Sequence, residues 1–445
     1  MRYFQKLVVI LLPALFALCV QGQRLDDPLA TSKSTTFTAA SLSPAAQKLY
    51  LEQPKITSNT RSEILSDMIA KTVLELESNA LYTTPERLMA AQREKAPEPT
   101  AIEIQNLYNA NVSALGGRPL VDVRPQLVEY LKDLSGEKIV VGYIQSLRTK
   151  HKVSVGKDVN GIRLMPSDIV ATIGSRTITL REFQQANKVR LNDAEMEAFE
   201  ALRTDLEASV FSALVGEEAK ERNLDIGSFI AAEITDKLRQ FTEEERSAVE
   251  TALMKRLFTK YNVKILLREP TPVVQNILIE TDDPQTGNAS APVTVVMFTD
   301  FQCPACSRTH PVLKQTLAEY GDKVRFVVRD FPLENIHKNA FQAALAANAA
   351  RAQGKFFEYA EILYRNQQAL NKASLLEYAA ELGLNAKQFE LDFSDARVSA
   401  EVRKDQADGR SYGIGGTPTI FVNGIKVYRL SADAFRRAID RALSK

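Results

Sequence analysis

Apolar residues recur at helical spacing along most of the chain up to residue 268, and from residue 293 they gather into short continuous runs. Ser43-Pro44 opens the helical part. Thr60-Arg61-Ser62-Glu63 fits a capping box, and Ile64, Met68, Ile69 and Leu76 follow on one face. Pro97 and Pro99 interrupt the pattern, which resumes at Ile102, Ile104, Leu107 and Tyr108. The spacing then predicts helices over 123–134, with Leu127 and Leu131 on one face, and over 138–150. A short alternating strand follows at 152–155, and 156–166 reads as a boundary. A second module begins as a hairpin over 169–179 and a helix entered at Leu180. Phe199, Leu202, Leu206, Val210 and Leu214 stripe a long helix ending near Asn223, and Val249, Leu253 and Leu257 stripe another. The segments YIQSLRTKHKVSV at 143–155 and LMKRLFTKYNVKI at 253–265 both read helix, basic turn, strand, as a weak internal repeat would.

Glu269-Pro270-Thr271-Pro272 is a stiff linker, since proline fixes φ and disfavours helix before it. Residues 277–280 are expected to form a first strand and 282–292 a polar loop. The run 293–298 is too short and too β-branched for a helix, so it predicts a buried strand, with a second over 323–331. A largely helical insertion spans 337–412, Asn423-Gly424 turns a hairpin, and 432–443 forms a closing helix. The expected organisation is a leader segment 1–22, a flexible stretch 23–42 rich in Ser, Thr and Ala, and helical domains over 43–156 and 167–268. Linker and first strand follow at 269–292, then an α/β domain over 293–445.

Composition adds little until the N-terminus is considered. The 445 residues are 45% hydrophobic and 25% charged, with a formal net charge of +1, which gives no case for nucleic acid or an anionic membrane as partner. Arg2 and Lys6 precede an apolar run over 7–18, and Val20-Gln21-Gly22 offers small residues for cleavage, the pattern of a secretory signal removed near Gly22. The run is short for a membrane span, which leaves an uncleaved anchor as the weaker reading. A lipoprotein attached at Cys19 is disfavoured by the bulky Leu18 before it. After cleavage the chain keeps two cysteines, Cys303 and Cys306. A protein exported to an oxidising compartment with a single closely spaced pair is expected to use it for chemistry more than for stapling.

That pair lies in Thr299-Asp300-Phe301-Gln302-Cys303-Pro304-Ala305-Cys306, where a strand run ends and a helical pattern begins. Both sulfurs fit the first turn of one helix, where unpartnered N–H groups and the helix dipole favour a thiolate. A free thiol near pKa 8.5 falls to roughly 3.5–7.5 in such sites, and the thiolate is the attacking species in disulfide exchange. Cys303, nearer the helix start, reads as the nucleophile and Cys306 as its resolving partner. Pro304 suits an early helical position. The alternatives are half of a zinc site and a structural disulfide. Zinc wants about four ligands, and the chain has three histidines, His151, His310 and His337, with no cysteine after Cys306. A ring this small constrains little of the unfolded chain.

Strand, CxxC at a helix start, strand, helical insertion, Thr-Pro-Thr before a hairpin and a final helix is the order of a thioredoxin fold. The segments TDFQCPACSRTHP, YGDKVRFVVRDFPL, QGKFFEYAEILYRNQ and IGGTPTIFVNG resemble the DsbA-like thiol:disulfide oxidoreductases of the subgroup with a helical insert, over about 275–445. The resemblance implies an α/β thioredoxin fold with a helical insertion, preceded here by a mainly α-helical region. It implies Cys303 and Cys306 as the redox pair and Pro418 as a cis-proline facing them, with Thr417 before it. A cis X-Pro bond costs only about 0.5–1 kcal/mol and turns the preceding backbone toward the sulfurs, where an extended substrate can pair with it. Asp300 and His310 are candidate proton shuttles, though a strand-end carboxylate and a solvated helix imidazole are the stronger readings.

Ala305 departs from the family, whose members often carry His or an aromatic there. How oxidising the pair is stays open between about −270 and about −120 mV, a span of roughly 7 kcal/mol. The halves of the helical region faintly resemble the N-terminal domains of SurA-type chaperones and parvulin-type isomerases, through IVATIGSRTITLREF and the closing basic turn and strand.

The implied function is an exported, periplasmic thiol:disulfide oxidoreductase acting on cysteines of other exported proteins. It would need no metal or organic cofactor and would be recharged by a membrane or soluble redox partner. The helical region would recruit clients or form a homo-oligomer. The alternatives are a chaperone-like client-binding protein and an oligomeric disulfide isomerase.

Overall fold

The structure, a computed structural model, describes residues 23–444. The expected signal segment, Cys19 included, lies outside the described residues. Short strands β1 (Pro28–Thr31) and β2 (Thr36–Thr38) precede the helices α1 (Pro44–Ala80), α2 (Pro85–Arg93), α3 (Ala101–Asn111) and α4 (Leu120–Lys150). Next come β3 (Val153–Val155), β4 (Ile169–Ile173), β5 (Arg176–Thr179), α5 (Leu180–Ala186), α6 (Lys188–Glu221), α7 (Ile226–Glu233), α8 (Glu243–Lys260) and β6 (Lys264–Ile265). The C-terminal part runs β7 (Gln285–Gly287), β8 (Val293–Thr299), α9 (Pro304–Ala318) and β9 (Val324–Asp330). It continues through α10 (Ala340–Arg351), α11 (Phe356–Arg365), α12 (Lys372–Glu381), α13 (Ala386–Phe393) and α14 (Ala396–Ser411) to β10 (Thr419–Val422), β11 (Ile425–Val427) and α15 (Ala432–Leu443).

The chain divides into two compact units that differ from the expected domains. One joins the described residues up to Lys55 with Ala201–Arg268, and the other joins Ile56–Glu200 with Glu269–Lys445. In the first unit, the expected flexible stretch 23–42 instead forms the sheet β2-β1-β6, and it buries Leu29, Phe37 and Leu42 against Leu206, Val210 and Leu257. Few apolar side chains per residue hid a segment whose backbone is completed by a strand far along the sequence.

In the second unit, β3 pairs with β4 across the expected boundary 156–166, so that loop joins one sheet rather than two domains. Thr60 lies inside α1, which continues through Pro54, and its capping-box pattern is overridden by burial of Ile64, Ile69 and Val73. The helices expected over 123–134 and 138–150 are one helix, α4. Gly136 is there because α2 crosses closely: a Cβ at that position would stand 3.3 Å from Arg93 Cβ. The repeat-like segments do share local structure, each ending its helix with a positive-φ residue, Lys152 (φ 50°) and Asn262 (φ 49°), before the strand.

The C-terminal sheet has the order β11-β10-β8-β9-β7, with β8 and β9 parallel and the other neighbours antiparallel. Its central strands β8 and β9 are buried on both faces, so Val, Phe and Met fill most of their positions, with Arg329 and Asp330 buried at the end of β9. α9 and α15 cover one face, and α10 to α14 form the insertion. The expected strand at 277–280 is absent and the edge strand is β7, inside the segment read as a polar loop. Val274 bridges to Ile425 and Gln275 N–H donates to Gly424 O at 2.8 Å, so the linker instead lines the hairpin. Asp193 of α6, in this same unit, accepts from Lys426 Nζ at 2.8 Å and from Tyr428 OH at 2.7 Å, tying the helical segment to that hairpin.

At the far end of β9, the fully buried Arg329 donates to Asp405 at 2.6 Å, to Asp408 at 2.9 Å and to Leu278 O at 2.7 Å. Burial pushes the Asp283 carboxyl up to about 6 from an ordinary 3.8, against the pull of Arg329. Burial, with Asp405 beside it, also pushes Asp330 upward. An acid raised in the folded state holds a proton that the unfolded chain has already released. The stability tied to it is therefore intact below about pH 4 and lost as pH rises through the folded value. Asp330→Asn removes this loss at one position. Its unfolding free energy is expected to gain on the parent by about 1 kcal/mol or more between pH 5 and pH 8. Urea unfolding at the two pH values reads it. A difference that does not change with pH contradicts the assignment.

Candidate active site

β8 ends at Thr299, and the chain turns through Asp300, Phe301 and Gln302 into α9, whose N-cap is Cys303 (φ −74°, ψ 120°) with Pro304 next. Asp300 holds this turn. It is almost fully buried, and its oxygens accept from Gln302 N–H at 2.7 Å, Leu333 N–H at 2.9 Å and His337 Nδ1 at 2.8 Å. The carboxylate is thus committed to the loop. His310 is buried against Tyr364, with ring centroids 4.9 Å apart, and burial pushes its imidazole pKa down. Asp300 thus serves the turn, and His310 the packing around Tyr364.

Both cysteines are present as free thiols, and they differ in access: Cys303 keeps 7% of its surface exposed and Cys306 none. The Thr417–Pro418 peptide is cis, and Thr417 O lies 3.4 Å from Cys303 Sγ, accepting from its thiol. The Cys303 thiol is lowered to about 5. The Cys306 thiol donates to its sulfur, burial opposes ionisation, and Thr417 and the N–H groups of Cys306 and Ala305 favour it. The Thr417 hydroxyl makes no hydrogen bond of ordinary length, so the larger share belongs to Cys306 and the helix N–H groups. Cys306 moves the opposite way: burial first, then the neighbouring Cys303 sulfur, push its thiol far up, against the Thr299 hydroxyl and Asp300 N–H. The Thr299 hydroxyl in turn shares a 2.6 Å hydrogen bond with the buried Tyr364 OH.

The structure therefore brings Cys303, Cys306, Thr417 and Pro418 together at the end of β8. Sequence reasoning missed the residues that hold them: Thr299, His337, Tyr364 and Gln367, whose amide donates to Phe301 O at 3.0 Å and Cys303 O at 2.8 Å. Three of the four lie in or beside the insertion, in stretches that carry no recognisable motif of their own. Tyr364 and Gln367 were visible only as part of QGKFFEYAEILYRNQ.

Residues 280–441 match the family model described as thioredoxin. Among curated proteins, the chain is 38% identical over 165 residues to Na(+)/H(+) antiporter NhaA 1 of Mycolicibacterium vanbaalenii, covering 36% of this chain and 27% of that protein. It is 40% identical over 138 residues to NhaA 3 of Salinispora tropica, covering 31% and 21%. The chain thus spans about a quarter of the length of the curated relatives it matches. Among the described residues no helix is long and apolar enough to cross a membrane.

Among solved structures it is similar to a thioredoxin-like oxidoreductase from Silicibacter pomeroyi, at 29% identity and a TM-score of 0.35, covering 37% of this chain and 95% of that one. It is also similar to BdbD from Bacillus subtilis, at 23% identity and a TM-score of 0.36, covering 40% and 100%. With its parallel β8–β9 pair, its CxxC helix and its helical insertion, the C-terminal region of this chain, residues 280–441, has a thioredoxin-like fold and matches the thioredoxin family model.

Proposed function

We propose that the protein is an exported thiol:disulfide oxidoreductase that exchanges disulfides with cysteines of other exported proteins. The observation that carries this reading is the split between the two thiols beside the cis Thr417–Pro418 peptide, with Cys303 lowered to about 5 and keeping a small exposed surface and Cys306 wholly buried and raised. A lowered thiol that still reaches the surface is the mark of an attacking cysteine, and a wholly buried raised one is inert until its neighbour has reacted.

In the reducing direction the Cys303 thiolate attacks one sulfur of a client disulfide. The Cys303–client bond forms, the client S–S bond breaks, and the other client sulfur leaves as a thiolate that takes up a proton. Cys306 then loses its proton and attacks Cys303 Sγ. The Cys303–Cys306 bond forms, the mixed disulfide breaks, and the second client thiolate leaves. The client gains two electrons and the protein is oxidised by two. The oxidising direction is the reverse, and a membrane or soluble redox partner restores the starting state. Thr417 O beside the sulfur supports pairing of an extended client segment along that edge. The helical region is assigned client recruitment or self-association.

Alkylation of the purified protein as a function of pH tests the reading. Cys303 is expected to titrate near pH 5, and the reduced protein to exchange with a model disulfide substrate at neutral pH. A Cys303 midpoint at or above the free value of about 8.5 overturns it. Equilibration with glutathione then assigns the preferred direction.

A further inference from the structure

Besides the His337–Asp300 and Tyr364–Thr299 bonds, three residues of the insertion, Asn339, Tyr364 and Gln367, hold the Cys303 turn. Asn339 N–H donates to Gln302 Oε1 at 2.8 Å, Ser307 Oγ donates to Tyr364 O at 2.9 Å, and the Gln367 amide donates to both Phe301 O and Cys303 O. The last is unlike the others, because it grips the peptide of the nucleophile itself. Resting on the exchange role proposed for Cys303, we propose that Gln367 is a positioning residue: it fixes the Cys303–Pro304 peptide plane so that the Cys303 sulfur stays over the helix N–H groups.

The argument is geometric. Cys303 is the N-cap of α9, so its ψ sets where its sulfur stands relative to the N–H groups of Ala305 and Cys306, which favour its thiolate. Its carbonyl oxygen marks that ψ. One lone pair accepts the first helical bond, from Ser307 N–H at 3.2 Å, and the other accepts from Gln367. The second amide hydrogen of Gln367 goes to Phe301 O, so one planar NH2 group spans both ends of the turn.

Gln367 is itself held. Its loop, between α11 and α12, is fixed by Gln342 Nε2 donating to Leu370 O at 2.9 Å, Tyr378 OH donating to Ala369 O at 2.9 Å and Ala369 N–H donating to Asn366 O at 2.9 Å. The donor therefore arrives pre-organised, and the insertion acts on thiol reactivity without touching the sulfur.

The test uses the full chain with Gln367→Leu and the near-isosteric Gln367→Glu, following Cys303 alkylation by iodoacetamide against pH with site assignment by mass spectrometry. In Gln367→Leu the midpoint is expected to rise by about one unit, so alkylation well below the midpoint slows about tenfold. The plateau rate above it, where all of the thiol is ionised, stays within about twofold. Gln367→Glu, once ionised, sets an acceptor against two carbonyl oxygens and is expected to raise the midpoint further. It carries the test if the leucine variant does not fold. Midpoints equal to the parent's in folded variants overturn the proposal, even where melting temperature falls, since a merely structural glutamine would lower stability and leave the titration alone. Failure of the parent to exchange disulfides would instead sink the proposed function and leave this titration result standing.

Discussion

Cys303→Ser is expected to remove disulfide exchange by the full chain, by about a thousandfold or more. The hydroxyl does not ionise at neutral pH, so the helix N–H groups and the Cys306 thiol that lower Cys303 have no thiolate to stabilise. Cys306→Ala is expected to behave differently, because the first attack needs only Cys303. With the resolving thiol gone, the Cys303–client disulfide accumulates and is visible as a covalent adduct on a non-reducing gel. The contrast between loss and trapping assigns the two roles. Were Cys303→Ser to trap adducts while Cys306→Ala did not, the roles would be exchanged. Equal activity in both variants would show that the pair is not the reacting group.

Arg329→Leu is expected to cost the C-terminal domain about 3–5 kcal/mol of stability. The guanidinium is fully buried, with Asp405, Asp408 and Asp283 arranged round it at 2.5, 2.9 and 3.4 Å. Its removal leaves those carboxylates facing one another without a counter-charge, and Leu278 O loses its donor. Arg329→Lys keeps the charge but cannot reach several acceptors from one planar fork, so it should recover part of the loss. Cys306 is a convenient reporter, since it has no exposed surface in the folded domain. Its labelling during urea unfolding, in a Cys303→Ser background, follows this domain alone. A loss under about 1 kcal/mol would mean that the carboxylates release their strain by taking up protons, a response open to Asp283 and Asp405, whose pKa values burial already raises.

The pair at 303 and 306 was legible because its signal is local: a strand run, a CxxC spacing and a helix start are contiguous, and the chemistry of that turn needs nothing distant. The same holds for the Thr-Pro-Thr before an Asn-Gly hairpin, and for the helical character of 340–411. The periodicity of Phe199, Leu202, Leu206 and Val210 likewise fixed a long helix, since four buried positions on one face require it.

What the chain could not show in one dimension was pairing over distance. The sheet of β1, β2 and β6 is completed by residues far apart in sequence, and each strand alone is too short and too polar to stand out. For the same reason the division into compact units follows contacts between remote segments: its border at 268/269 falls on the proline-rich linker, while those at 55/56 and 200/201 lie inside α1 and α6. Cys303 and Cys306 were named by sequence alone. Only the tertiary structure decided their unequal burial and the surroundings that pull their thiols in opposite directions, because those depend on the packing that covers Cys306 and on Thr417, which folding alone brings to the Cys303 sulfur.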